Sequence, residues 1–189
     1  MAIPFEDIQQ KFHRGFGFIQ HDLEGFLSQD VGGNFAVAAL AACACETLAR
    51  YRHGSGDGGE VFRRLMPAGP LQVVARTLYD LLRNGLVHCY NTADIAVEGQ
   101  VVRLALSWRA EQYLSVKEID GVPNLVLNVT TLCADLFKEF QDYREELKRS
   151  AEARDRFFVT YRETGTFEVV VPAHIEAWKA ILGNVSGSA

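Results

Sequence analysis

The hydrophobic positions of this chain keep two different periods, and the change between them falls near residue 94. Over residues 2–27, Phe5, Ile8, Phe12, Phe16, Ile19 and Leu23 recur at spacings of three and four, the period of one helix face. Gly15 and Gly17 interrupt that stripe, so it reads as one helix or as two shorter pieces. After VGGN at 31–34, a helix-start signal, residues 35–51 are alanine-rich and apolar on nearly every side. That pattern predicts a central helix packed closely through small side chains, with Cys43 and Cys45 as inert core residues. Residues 53–59, HGSGDGG, read as a flexible loop, and 60–66 as a short helix stopped by Pro67 and Pro70. Residues 71–87 place Val74, Leu78, Leu81 and Leu82 on one stripe of a further helix, which runs into LRNGLVHCY at 82–90.

Beyond residue 94 the period drops to about two. Val102, Leu104, Leu106 and Trp108 alternate with other residues, and LVLNV at 125–129 follows a DGVP turn at 120–123. An antiparallel sheet of three or four short strands is expected. Thr130 or Thr131 is then placed to cap a long helix that turns Leu132, Leu136, Phe137, Phe140, Tyr143 and Leu147 inward. From Arg154 onward the pattern is open, with a strand at 166–171 and a last helix at 173–182 as readings. The fold class predicted is α+β, mostly α: a helical bundle with a small antiparallel β-sheet inserted after the motif helix. Residues 1–189 read as a single domain with a bundle core at 2–90 and the sheet at 94–129. A long helix at 130–153 packs back on the bundle, and 154–189 form a C-terminal extension.

Composition adds constraints rather than a function. With 48% hydrophobic and 23% charged residues the chain can bury a real core without staples. Cys43, Cys45, Cys89 and Cys133 lack metal-type spacing, and no cofactor is implied. The N-terminal MAIPFEDIQQKF has no apolar signal core, and the longest uncharged apolar run, 35–45, is too short to span a bilayer. A cytoplasmic protein without a membrane partner is the expectation. A net charge of −5 argues against indiscriminate coating of nucleic acid. Between residues 50 and 83, however, six arginines face three acids, which reads either as an anion-facing surface or as an ordinary solvated face.

The chemistry concentrates at 83–90, where Arg83, Asn84, His88 and Tyr90 fall within eight residues. On an α-helix Asn84 and His88 share a face, so the amide can orient the imidazole. Arg83 and His88 lie roughly 140° apart at about 100° per residue, a gap that two-fold pairing of the helix closes. An imidazole that moves protons and a guanidinium that grips phosphate suffice for metal-free RNA cleavage. The same residues also read as the last turn of a core helix, with Arg83 and His88 at the negative dipole end and Tyr90 in the core. An Arg-x4-His pair alone carries little weight; the asparagine and tyrosine at fixed offsets make the pattern specific.

Arg83-Asn84-x3-His88-x-Tyr90 resembles the motif of HEPN domains, in the R-x4-H-x-Y form found in HEPN toxins paired with nucleotidyltransferase antitoxins. The resemblance implies a helical bundle, a homodimer with the motif at its interface, and ribonuclease activity without metal. It makes Arg83 and His88 catalytic, gives Asn84 a supporting role and makes Tyr90 a candidate modification site for a nucleotidyltransferase antitoxin. A non-catalytic HEPN-like dimerisation or interaction module is the alternative. Elsewhere, His53 amid its glycines suggests a phosphate cradle but lacks the Lys-Ser/Thr of a P-loop, and His13, His21 and His174 form no ligand spacing.

Overall fold

In a computed structural model of the protein, residues 3–29, 34–89, 94–109 and 112–164 are described, with the backbone alone at 87–89. The N-terminal stripe forms one unbroken helical rod. α1 (Phe5–Phe12) runs through a π-helical turn at His13–Gly17 into α2 (Phe18–Leu27), with helical backbone angles at both junctions. Gly15 and Gly17 therefore lie in a local widening of the helix, where each N–H reaches five residues back, and not at a break. Ile8, Phe12, Phe16 and Leu23 are buried as the spacing requires.

α3 (Asn34–His53) is the central helix. It packs against α2, α4 (Gly58–Leu65), α6 (Val129–Arg149), α7 (Ala151–Thr164) and the second π segment. Its alanines at 38, 41, 42, 44 and 49 are buried, which lets neighbouring backbones approach closely. Cys45 is buried with them, but Cys43 stands at the surface, against its reading as a core residue. The expected core assignment fails because positions 43 and 45 point about 200° apart on a helix. α5 (Pro70–Leu81) starts on Pro70 and continues into the π segment Leu82–Cys89. Its buried stripe is Ala75, Leu78, Tyr79 and Leu82, while Val74 is 43% exposed. Val74 falls off that stripe because neighbouring helix positions point about 100° apart, so the phase that buries Ala75, Leu78 and Leu82 turns Val74 outward.

The sheet has four strands, β1 (Asp94–Val97), β2 (Gln100–Ser107), β3 (Leu114–Ile119) and β4 (Val122–Asn128), in the order β1-β2-β4-β3. Two hairpins are antiparallel as expected, each turning on a residue pair with positive φ, Glu98-Gly99 and Asp120-Gly121. The centre differs: β2 pairs with β4 in parallel, Leu104 opposite Leu125 and Leu106 opposite Leu127, so the sheet is mixed rather than wholly antiparallel. The second hairpin docks its later strand against β2, and alternation along a strand carries no information about the direction of its neighbour. Leu104 and Leu127 join the helical core. The protein is thus α+β and mostly α, as the pattern predicts.

Asn128, and neither threonine, caps α6: its side chain accepts from the Thr130 and Thr131 amides. Leu132, Leu136, Phe140, Tyr143 and Leu147 are buried as expected, and Phe137 is half-buried. The long helix ends at Arg149, and 151–164 form the separate helix α7, which buries Ala153 and Phe157 rather than extending away. The Tyr143 hydroxyl donates to the Tyr51 carbonyl at 2.8 Å, and the Arg154 Nε to that of Ile3 at 2.6 Å. The strand and helix readings for 166–171 and 173–182 lie outside the described residues. No described helix is long and apolar enough to cross a membrane.

Candidate functional site

The motif sits in the π segment that prolongs α5. Leu82, Gly85 and Leu86 face the core, which turns Arg83 partly and Asn84 fully toward solvent. The widened turn changes the geometry that α periodicity implies. Residues five apart are one hydrogen-bond repeat apart in a π-helix, so the backbones of 83 and 88 lie one above the other on successive turns of one chain. The separation of about 140° expected from α geometry does not apply here. Single-turn π segments cost regular helix hydrogen bonding and recur at functional sites. The His88 side chain and Tyr90 lie outside what is described.

Arg83 is held by a residue that the motif did not suggest. Its Nε and Nη2 donate to the two carboxylate oxygens of Glu46 at 3.2 and 3.3 Å, a forked pair. The pair is accessible, with the side chains 38% and 31% exposed. The hydrogen bond to Glu46 raises the Arg83 pKa further, so its charge is fixed. Glu46 is the one acid of α3, and a lone carboxylate in an alanine-rich helix was the available signal for it. Glu46 also lines a cavity of about 390 Å³ with Cys43, Thr47, Arg50, Tyr51 and Thr164. Tyr51 and Thr164 close one side through a hydroxyl–hydroxyl contact of 3.1 Å. Burial, and then the Glu46 charge, push the Cys43 thiol up, with Arg83 opposing, which disfavours the thiolate.

The glycine loop beside this site serves packing. A side chain at Gly58 would strike the Tyr79 hydroxyl and the α3 backbone at Glu46. Burial, followed by the Glu46 charge, pushes Tyr79 up to about 12. Asp57 caps α4 and pairs with Arg76 at 2.7 Å, so a carboxylate already occupies the helix end that a phosphate cradle would need. His53 contacts Arg64 at 2.8 Å between Nε2 and Nη2, and burial, then the Arg64 charge, lower its pKa. The arginine-rich stretch is largely engaged in the same way. Arg52 is bound by Glu139 and Glu146, Arg63 by Glu60, and Arg76 by Asp57 and Asp80.

Among the described residues, the arrangement offers a forked cation held by Glu46, whose carboxylate also lines a small cavity, with an exposed amide beside the cation on the same turn. Such a pair can exchange its carboxylate for a phosphate or another planar oxyanion. No family model, no curated protein and no solved structure matches the chain.

Proposed function

We propose that the protein is a HEPN-like RNA-cleaving or RNA-binding protein, of the kind that serves toxin or defence systems, working without a divalent metal. The observation that supports this best is the Arg83 fork, exposed and pre-oriented by Glu46 on a π turn that also carries Asn84 and the backbone of His88. In this reading the RNA phosphate displaces Glu46 from Arg83. The 2′-hydroxyl oxygen attacks phosphorus while His88 takes its proton, and the P–O5′ bond breaks. A proton returns to the leaving 5′-oxygen, which gives a 2′,3′-cyclic phosphate and a 5′-hydroxyl. Asn84 supports His88, and Tyr90 is the group that a nucleotidyltransferase antitoxin would modify.

Incubation of wild type, His88→Ala and Arg83→Ala with mixed single-stranded RNA in EDTA tests the proposal. Wild type should cleave, and loss of the proton-transfer group should slow cleavage by about 10²–10⁴. Arg83→Lys should rescue only in part, because a point charge replaces a fork. Equal cleavage by wild type and His88→Ala would expose a contaminant. A second reading, a non-catalytic HEPN-like interaction module, is favoured by two observations. Carboxylates neutralise most of the arginine stretch, and Val73 stands 82% exposed on the helix that leads into the motif. Absence of cleavage across varied RNAs selects that reading.

A further inference from the structure

A second cavity, of about 340 Å³, opens where α4 ends, between Arg64–Pro67, Tyr113 just before β3, and one stripe of α6. It combines features that ordinary surface hollows lack. The Oη of Tyr113 and the Nε of Arg64 are both buried and have no hydrogen-bond partner. Buried polar atoms are nearly always paired, and two of the five unpaired ones among the described residues belong to side chains of this cavity. Burial, then the Asp135 charge, raises the Tyr113 pKa, so its hydroxyl keeps its proton and can donate or accept. The Arg64 fork spends Nη2 on His53 and leaves Nε–H as a donor only.

The opposite wall is the α6 stripe of Asp135, Lys138 and Asp142. Glu139 on that stripe is already committed to Arg52 at 2.8 Å. Asp135 is half-buried and accepts no hydrogen bond from a described residue; burial raises its pKa, with Lys138 opposing. Buried Met66 and exposed Pro67 supply an apolar side. The occupant must therefore present acceptors to Arg64 and Tyr113, donors to Asp135, and an apolar face. A bare phosphate meets too many carboxylates, and a simple amine meets Arg64 and Lys138.

We propose that this cavity takes a guanine base, with Asp135 accepting from its N1–H and N2 amino edge while Arg64 and Tyr113 donate to its O6 and N7 side. Guanine sets two adjacent donors beside acceptors on one planar ring. Adenine and cytosine put a ring lone pair next to their amino group, and uracil has a single donor between two carbonyls, so each meets the carboxylate with a repelling atom. The chemistry is shared by a free guanine nucleotide and an unstacked guanine in single-stranded RNA; the second source rests on the RNA reading above.

Calorimetric titration of the full chain with GMP, AMP, CMP and UMP tests the assignment, with single-stranded oligonucleotides containing or lacking guanine as a second arm. GMP should bind at least roughly tenfold more tightly than the others, about what one well-placed hydrogen-bond pair contributes. Asp135→Asn and Tyr113→Phe should each weaken GMP by roughly that factor. Tyr113→Phe should leave the ligand-free melting temperature unchanged or raise it, because the deleted hydroxyl pairs with nothing. No GMP binding, equal binding of all four nucleotides, or GMP binding indifferent to both variants overturns the proposal. So does a lowered ligand-free melting temperature in Tyr113→Phe. Guanine preference with no RNA bound keeps the pocket and sinks the RNA reading; RNA cleavage without guanine preference does the reverse.

Discussion

His53 illustrates how a neighbour decides the meaning of a residue. Within its glycine loop it suggests an anion site, yet its ring is spent on Arg64 and its pKa is held below the ordinary 6.5, by burial first and then by the Arg64 charge. The unfolded chain then binds the His53 proton more readily than the folded one. Its contribution is therefore fully present above the unfolded pKa of 6.5 and is lost as pH falls from there through the lowered folded-state pKa. The urea midpoint of wild type should drop faster than that of His53→Gln between about pH 6.5 and 5, because glutamine offers Arg64 a neutral acceptor that does not titrate. Parallel curves for the two proteins would remove His53 from the acid response. Gly58 carries the same lesson in steric form, since only the contact with Tyr79 and α3 explains why that position has no side chain.

At the scale of elements, α6 shows what sequence pattern can and cannot locate. Its inward face was legible because Leu132, Leu136, Phe140, Tyr143 and Leu147 repeat with the helix. Its start was misplaced by two or three residues, because Asn128 lies in the last position of β4 and the strand pattern ran through it. Asn128→Ala should cost about 1 kcal/mol, read as a lower urea midpoint at constant m-value, while Thr131→Ala should cost less. A larger loss from the threonine would restore the original cap. The π segment at Leu82–Cys89 was not legible at all. Its residues have the same spacing as an α-helix would give them, and the wider turn carries both Leu82 and Leu86 buried in the core.

For the whole molecule, the motif was first tied to dimerisation through α geometry, and the π turn removes that geometric necessity. We propose a two-fold dimer through α5 and the π segment as part of the same functional reading, since it would cover Val73 and Val74 on the helix that leads into the motif. Sedimentation equilibrium at micromolar concentration should find wild type dimeric and Val73→Glu monomeric. A monomeric wild type would leave the Arg83 face to act within one chain.

Periodicity determined the helix faces, the hairpin turn at Asp120-Gly121, the mostly α character and the position of Arg83, because each follows from residues near one another in the chain. Only the tertiary structure decided that β2 and β4 run parallel, that Glu46 meets Arg83, and that Arg64, Tyr113 and Asp135 line one cavity. Those partners are separated by 20 to 70 residues or so, and no local rule of spacing, propensity or capping reaches across such distances. What brings them together is the burial of the α3 alanines, which draws α4, α6, the π segment and the sheet onto one helix.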